Sequence, residues 1–528
     1  MHQDGHQPFG QNSVLIANID PRKVYATRHL LNGRVIFPNQ WNELPDVRLP
    51  DHAAANAALA GIPPQGSGLD RFDPVLGPFT LPAAAMSGWA QSLDFLRDIS
   101  GPKTGPLSLS CVWLATWANT EQNTPSPMDD FLNMGQAHYT KTDRLIWRAK
   151  RVINLLSYGL PLLNQLDPPI VSKICAHLLT DIAKLAAPTE TLLASLTSGF
   201  HPLSPRALWL RALALTAVET VFPAMLVREV TDRAIEQVIN SFQKDGTMEG
   251  ASIMATLSAS ADMCAIGHVP LIAPVLEKAR QALATLRHDR GTLVMFGAGS
   301  GEYAGLLERV LGDVKRQPSP VLNNIGIVRV DCGPTNVWLR APEIGQSWAG
   351  LCDVEIAGAP ILTNWGQLRS GVMFNAPIQR ATGRCKRRDQ HDAQILESQS
   401  DIQVAGETVS YCRYIKVSKA GNHIIGEDIL SFKDVMSLHI VRQICFAFPK
   451  NCHTRLIGSG RGVEIVTQSA SRWRLLVSNT NLEIEASLQS ETEDEGNAPH
   501  CGVVFRPIER ALVKQLKMTW ELIIEDQT

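Results

Sequence analysis

The apolar residues of this chain follow two patterns, and the change falls in the stretch from Asp331 to Gly366. Before this stretch, apolar residues recur at helical spacing; after it, they come in short runs bounded by Gly, Asn and Pro. Inside it, the segments VWLRA and CDVEI predict two strands. A helical half and a strand half would meet at the loop between these strands, and such junctions are favoured positions for ligand clefts.

The helical half contains one segment with a broad apolar face, TDRLIWRAKRVINLLSYGLPLLNQL. The face is formed by residues spaced mostly three and four apart: Leu145, Ile146, Ala149, Val152, Ile153, Leu156 and Leu160. Further helices are predicted at roughly 170–186, 189–199, 205–222, 226–243, 252–266 and 270–288. Helices of similar length that are joined by short loops are typical of stacked helical hairpins, in a solenoid or a closed α/α toroid.

From about residue 325 onward, β-branched or alternating segments are separated by turn residues, which is typical of a large antiparallel sandwich. Helices first and sheets afterwards indicate the α+β class with segregated domains. We therefore predict an N-terminal α/α toroid-like helical domain followed by a C-terminal antiparallel β-sandwich. The predicted bounds are an irregular arm at 1–84, the helical domain at 85–315 and the sandwich at 316–528.

Composition limits the classes of partner. With 528 residues the chain is long enough for two or three domains, and a net charge of −2 gives it no overall electrostatic attraction for nucleic acid or an anionic membrane. The basic cluster at 380–388, RATGRCKRR, is interpreted as a solvated loop rather than a nucleic-acid arm. We expect no nucleic-acid partner.

The ten cysteines form no CxxC pair, so a zinc knuckle is not expected, and their places in apolar segments suit free thiols in a reducing compartment. The N-terminal residues lack a basic region followed by an apolar core, so no secretory signal is predicted. No run of about 20 apolar residues occurs, and we expect no transmembrane helix. These patterns predict a cytoplasmic protein.

Residues 292–331 offer a different interpretation. TLVMF followed by GAGSGEYAGLLERVLGDV resembles a strand, a glycine-rich turn and a helix, with Gly297, Gly299 and Gly301 placed to let backbone approach a nucleotide or S-adenosylmethionine. IGIVRVD then ends in Asp331, where a nucleotide-binding unit would place an acid. No further alternation of strands and helices follows, which favours a tight connection between two domains instead.

Several segments occur in an order that resembles bacterial heparinase II/III-like proteins over about residues 140 to 525. They include SYGLPLL, DGTMEG, LRHDRGTL with FGAG, WAGLCDVEI, LTNWG, YCRYIKV and GEDIL. The resemblance implies a toroid followed by a sandwich, an acidic polysaccharide as the ligand, and β-elimination of a uronic-acid-containing glycan. It also implies a cell-envelope or periplasmic location as the alternative to a cytoplasmic one.

Such an elimination needs a group that neutralises the sugar carboxylate, a base that takes the adjacent proton and an acid for the leaving oxygen. The resemblance implies that His and Tyr perform the proton transfers. Five positions where the family carries His hold other residues in this chain: Trp348, Cys385, Tyr411, Phe446 and Phe448. Trp and Phe cannot transfer a proton or bind a metal as imidazole does.

The remaining candidates fall into two groups. The resemblance implies Tyr411, Arg380 and Glu249 as catalytic residues, and the substrate-binding candidates are Asp245, Trp348, Glu355 and Arg413. Each has a structural alternative: Asp245 suits a turn, Tyr411 suits strand packing, and a buried Glu355 would need a partner such as Arg380. The pair Glu427 and Asp428 is interpreted as a turn or a structural pair.

No cofactor is expected, and no metal ligands are assigned, although a structural divalent metal stays open. Two hypotheses follow. The first is a polysaccharide lyase with an altered active site, and the second is a non-catalytic relative that binds a glycan or a protein in the same cleft.

Overall fold

The computed structural model describes a set of segments that covers most of the predicted helices and strands. They are residues 56, 92–100, 107–120, 141–163, 165–187, 205–222, 228–248, 253–265, 270–294, 296, 304–312, 320–365, 368–437, 440–449, 452–458, 461–467, 472–479, 484–491, 500–507 and 512–525. The chain divides into two compact units, the first formed by residues 1–242 and 257–276 and the second by 243–256 and 277–528. The predicted arm at 1–84 lies outside the described residues apart from residue 56, and the predicted domain bounds stay a prediction.

Helices supply the described structure of the first unit. They are α1 Phe95–Ser100, α2 Leu107–Thr120, α3 Lys141–Asn154, α4 Leu160–Leu163, α5 Pro168–Ala186, α6 Pro205–Val221 and α7 Arg228–Ser241, followed by α8 Ile253–Ala265 and α9 Ala273–Thr285, which each have residues in both units. The helices predicted at 170–186, 205–222, 226–243, 252–266 and 270–288 are confirmed. The segment predicted as a helix at 189–199 lies outside the described residues.

Helix α3 packs against α5 and α6 through the apolar face that its spacing predicted. Ala149 and Val152 on that face are fully buried. Its polar residues are paired as well: Arg151 donates to Asp181 over 2.9 Å, and Lys150 contacts Asp94 over 2.8 Å. A π-helical turn at Leu155–Gly159 joins α3 to α4.

The second unit is built mainly from antiparallel sheets. Its strands are β1 Val321–Leu322, β2 Ile327–Cys332, β3 Thr335–Arg340, β4 Trp348–Ala349, β5 Cys352–Ile356, β6 Ala359–Leu362, β7 Asn364–Trp365, β8 Leu368–Arg369, β9 Gly371–Phe374, β10 Ile378–Asp389, β11 Ala393–Val404, β12 Glu407–Ser418, β13 His423–Ser437, β14 Val441–Phe448, β15 His453–Ile457, β16 Gly462–Val466, β17 Arg472–Asn479, β18 Ile484–Glu491, β19 His500–Pro507 and β20 Leu512–Glu525. The unit also holds the short helix α10, Ala304–Leu311.

These strands form three sheets of five or more strands, with the orders β1-β2-β3-β5-β6, β10-β11-β12-β13-β20-β17-β16-β15 and β18-β19-β14-β9-β4, and a small sheet of β7 and β8. Burial alternates along β12, because one side of the eight-stranded sheet faces the apolar core and the other faces solvent. One buried apolar cluster contains residues from all three large sheets. The predicted combination of helices with antiparallel sheets is therefore confirmed.

One prediction for this unit is corrected, and the nucleotide-binding alternative, which the sequence pattern disfavoured, is contradicted. RATGRCKRR is not a loop but the middle of β10, which pairs with β11 from Arg380 to Asp389. The strand that contains Asp331 pairs antiparallel with both of its neighbours, and every pairing among the described strands is antiparallel, so it is not part of the parallel sheet that a nucleotide-binding fold needs. The residues 297–301 lie outside the described segments.

Among the described residues, no helix is long and apolar enough to cross a membrane.

Candidate functional site

A buried ion pair lies at the centre of strands β12 and β13. Arg413 and Asp428 face each other in the register of the two strands, and both side chains have zero exposure. The guanidinium donates twice to the carboxylate, from Nε to Oδ1 over 2.6 Å and from Nη2 to Oδ2 over 2.8 Å. This two-point geometry is the strongest form of Arg–carboxylate contact.

Further donors satisfy the carboxylate, and further acceptors satisfy the guanidinium. The Tyr411 hydroxyl donates to Asp428 Oδ1 over 2.9 Å, and Trp520 Nε1 donates to Oδ2 over 3.1 Å. Arg413 Nη1 donates to the carbonyls of Gly350 and Ser370. We call these side chains, Tyr411, Arg413, Asp428 and Trp520, the core network.

The titration of Tyr411 and Arg413 follows from their burial and from the charges beside them. Burial, with the neighbouring Asp428 carboxylate, raises the pKa of the Tyr411 phenol well above its ordinary value of 10.0 and outweighs the opposing effect of Arg413. Burial alone would lower the pKa of Arg413, but the Asp428 charge raises it, so the guanidinium stays charged. The Tyr411 phenol therefore stays protonated and the Arg413 guanidinium stays charged near neutral pH.

This arrangement changes the interpretation of two sequence candidates. Tyr411 was expected to transfer protons and Arg413 to bind substrate, but both side chains are fully buried and bound to Asp428. A proton donor must come within hydrogen-bond reach of the reacting atom. In this structure both residues therefore belong to the buried core of the strand unit, and the alternative of strand packing applies to Tyr411.

A second polar cluster, which the sequence did not predict, surrounds His288. Its Nδ1 lies 2.9 Å from Thr292 Oγ1, and its Nε2 lies 3.1 Å from Asp353 Oδ1 on β5. The imidazole ring also meets the edge of Trp338, with 5.0 Å between the ring centroids. Burial by itself lowers the pKa of His288, but the Asp353 charge and hydrogen bond, helped by Glu355, raise it above 6.5 in spite of Arg329.

Glu355 belongs to this His288 cluster. Its side chain is buried and accepts the backbone N–H of Asp289 over 2.9 Å and the side-chain amide of Asn336 over 3.3 Å. The sequence suggested Arg380 as the partner of a buried Glu355. Among the described contacts, the Asp289 N–H and the Asn336 amide bind the Glu355 carboxylate instead. The only signal for this cluster in the sequence was the HDRG stretch within LRHDRGTL.

Arg329 and Trp338 attach the same sheet to the end of helix α9. Arg329 Nη1 donates to the carbonyls of Ala284, Thr285 and Arg287, and Trp338 Nε1 donates to the Thr285 carbonyl over 2.6 Å. The guanidinium carbon of Arg329 lies 4.8 Å from the centre of the Trp338 ring. Cations favour the carbonyl end of a helix, so Arg329 stabilises this terminus.

The other predicted site residues that the structure describes lie on different elements of the second unit. Arg380 is exposed on β10, whereas Trp348 on β4 is 6% exposed and offers no open face for sugar stacking. Asp245 accepts from the N–H and the hydroxyl of Thr247 and from the N–H of Asn324, as a turn residue does. Glu249 lies outside the described residues.

The positions where the resembled family carries His are also buried. Phe446 and Phe448 are fully buried on β14, and Cys385 on β10 is 6% exposed. Cys385 Sγ lies 3.1 Å from the Gly326 carbonyl, and burial raises the pKa of this thiol to about 12, which opposes a nucleophilic role. The nine cysteines whose side chains are described are free thiols.

In the part of the chain that the structure describes, no group of three or more His, Cys, Asp or Glu side chains is arranged to hold a metal ion. His423 at the start of β13 contacts Glu521 on β20.

Known proteins resemble this chain in fold but not in sequence. No family model matches the sequence, and none of the curated proteins matches it. Among solved structures, heparan sulfate lyase HepC from Pedobacter heparinus matches with 13% identity and a TM-score of 0.56, over 92% of this chain and 85% of that one. Heparinase III matches with 11% identity and a TM-score of 0.59, over 98% of this chain and 90% of that one. The chain therefore has a heparinase-like polysaccharide lyase fold, as its sequence motifs predicted.

Proposed function

We propose that this chain is a polysaccharide lyase-like protein that takes an acidic, uronate-containing glycan and cleaves it by β-elimination. The observation that carries the proposal is the match to two heparan sulfate lyase structures over more than nine-tenths of this chain. The proposal includes the finer architecture, a toroid-like helical domain at 85–315 followed by an antiparallel sandwich at 316–528. The ligand class is inferred by analogy of fold.

The chemistry requires accessible charged groups. Arg380 is exposed on β10, and its guanidinium can neutralise a glycan carboxylate and so acidify the adjacent C–H. Tyr411 is not part of this proposal, since its hydroxyl donates to Asp428 within the core. Glu249 stays the proposed base, on the strength of its position in the DGTMEG motif alone.

A second candidate function is supported by the burial of the motif positions. Tyr411, Phe446 and Phe448 stand where the resembled family carries His, and all three are fully buried. A protein that keeps the fold but presents no imidazole at these positions would bind an acidic glycan without cleaving it. This non-catalytic binder is the alternative against which activity must be measured.

The test is ultraviolet absorbance of the unsaturated uronate that β-elimination leaves, recorded with heparan sulfate, heparin and chondroitin sulfate. The lyase proposal predicts a rising signal with at least one glycan that is lost in Glu249→Gln and strongly reduced in Arg380→Gln, but retained in the control Arg442→Gln, which removes an exposed charge elsewhere. A flat trace together with saturable quenching of tryptophan fluorescence by the same glycan would reject the lyase and support the binder.

A further inference from the structure

The solvent-facing side of β10 carries a row of cationic side chains. Residues at alternate positions of a strand share one face, and here they are Arg380, Thr382, Arg384, Lys386 and Arg388. The inward face of the same strand carries the buried Cys385. At about 3.3 Å of rise per residue, the row extends over roughly 26 Å. We call it the basic row.

The basic row lies at the edge of a sheet. β10 is the terminal strand of the eight-stranded sheet, and it pairs with β11 on one side. In the described part of the chain no strand pairs with its other side, and the backbone hydrogen bonds to Gly345 and Gln346 there involve Ile378, before the basic row begins. An edge of this kind can accept a ligand along its length.

Two carboxylates on β11 face the four cations of the basic row, and Glu397 lies opposite Lys386 in the register, so about half of the charge is not neutralised. Arg388 donates to Glu397 on β11 over 2.6 Å, and Asp401 lies opposite Thr382 in the register and offsets part of the remainder. Within the described segments, Arg380, Arg384 and Lys386 make no ion pair. A solvated row of cations with few compensating carboxylates attracts an anionic polymer.

We propose that the basic row is a docking surface for an acidic polysaccharide chain, which it holds along the outer edge of the sandwich. The class of ligand in this inference rests on the proposed function. The inference adds the surface on which the ligand docks and the side chains that hold it. A repeating anionic chain fits because it presents charges at intervals along its length, as the row does.

Two observations favour a polysaccharide over a nucleic acid. The row contains no aromatic residue between its cations, so it has no platform on which bases could stack. The chain as a whole carries a net charge of −2, which provides no general attraction for nucleic acid. Charged residues on an edge strand also prevent sheets from pairing with each other, and the experiment separates that role from docking.

The experiment measures binding of a fluorescent heparin oligosaccharide to the full-length protein by anisotropy. The test variant is Arg384→Gln with Lys386→Gln, which leaves Arg380 in place. The matched control is Arg442→Gln with Lys514→Gln, which removes one exposed Arg and one exposed Lys outside the row. Exposed ionic contacts are individually weak, so we expect the row variant to bind about five- to tenfold more weakly and the control within about twofold of wild type.

The wild-type affinity should also fall as salt rises, and more steeply than that of the row variant, because exposed charges are screened. Equal affinities of wild type and the row variant, equal weakening in both double variants, or no binding by wild type would overturn the proposal. Tighter binding of a single-stranded DNA of matched charge, lost in the row variant, would also overturn it in favour of a nucleic-acid surface. Binding is read without cleavage, so row-dependent binding with no uronate product would sustain the docking surface while the lyase activity fails.

Discussion

At the scale of single residues, the buried Arg413–Asp428 pair determines which substitutions the centre of β12 and β13 tolerates. Removing two charges from water is costly, and their attraction offsets this cost only when the geometry is good and the remaining donors and acceptors are satisfied. The two-point contact, the Tyr411 hydroxyl and the Trp520 indole meet that condition. The core network should therefore respond far more strongly to the loss of a charge than to the loss of one hydrogen bond.

We predict that Asp428→Asn lowers the free energy of unfolding by about 3–5 kcal/mol, because Arg413 would stay buried without a counter-charge. Tyr411→Phe should cost about 1.5–3 kcal/mol, since it removes one hydrogen bond to a charged group and leaves the ion pair in place. Urea unfolding followed by tryptophan fluorescence measures both losses. If Asp428→Asn loses no more stability than Tyr411→Phe, the ion pair does not stabilise the core more than the phenol hydrogen bond does, and the prediction is wrong.

His288 makes the stability of the strand unit depend on pH. Its pKa is raised in the folded protein, so protonation of its imidazole beside Asp353 stabilises the fold. This contribution is fully present below pH 6.5, the ordinary value for His, and is lost as pH rises through the raised pKa. The difference in unfolding free energy between wild type and His288→Gln should therefore be largest at acidic pH and shrink as pH rises.

The control for this prediction is Thr292→Val, which removes the hydroxyl at Nδ1 but keeps the contact between Nε2 and Asp353. It should lower stability while leaving the shape of the pH profile close to that of wild type. Parallel profiles for wild type and His288→Gln would show that the imidazole charge does not contribute.

At the scale of elements, Gly426 lets β13 and β20 approach with Trp520 between them. The two residues are partners in the register, and a Cβ at Gly426 would lie 1.9 Å from Cε2 of the Trp520 ring. No rotation of a small group relieves this overlap, because the ring is buried and its Nε1 is fixed by Asp428. The absence of a side chain at 426 is therefore what allows the indole to reach the core network.

We expect Gly426→Ala to lower the free energy of unfolding by about 1–3 kcal/mol through overpacking. In a Trp520→Leu background the same change should cost less, because the ring that clashes is absent. Chemical denaturation of the two single variants and the double variant measures this coupling. Additive losses would mean that Gly426 is not required by Trp520.

Part of this structure could be predicted from local pattern. CDVEI coincides with β5, and IGIVRV and VWLRA overlap β2 and β3, because their apolar runs match buried strands. The apolar pattern does not reveal β10. Arg and Lys occupy its solvent face, and Ile378 and Cys385 are its only buried residues. The roles of Tyr411 and Arg413 were harder to predict. Both residue types suit a binding site, and only the register of β12 and β13 shows that Asp428 lies beside them.

At the scale of the whole molecule, the path of the chain differs from a simple succession of a helical and a strand region. Residues 243–256 belong to the strand unit, although the chain then returns to the helical unit at 257–276. Asn324 attaches this early segment: its side-chain amide donates to Thr247 Oγ1 over 2.9 Å and to the Met248 carbonyl over 3.0 Å. Gly246, with φ of 82°, provides the close approach to the Lys278 backbone. Contacts of this kind join residues about 77 positions apart and leave no periodic signal in the sequence.

Because these contacts attach 243–256 to the strand unit, Asn324→Ala should release the segment locally. Two side-chain hydrogen bonds at a partly exposed site correspond to about 1–3 kcal/mol. Amide hydrogen exchange should therefore speed up by roughly one to two powers of ten at residues 245–248 and change little in β12 and β13, whose stability derives from their own core.

Asn323→Ala is the matched control, since it changes the neighbouring exposed amide side chain, and it should leave exchange at 245–248 as in wild type. Faster exchange throughout the strand unit would instead mean that the segment is required for the stability of the whole unit. Unchanged exchange at 245–248 would mean that the turn at Asp245 and Gly246 is sufficient to hold it.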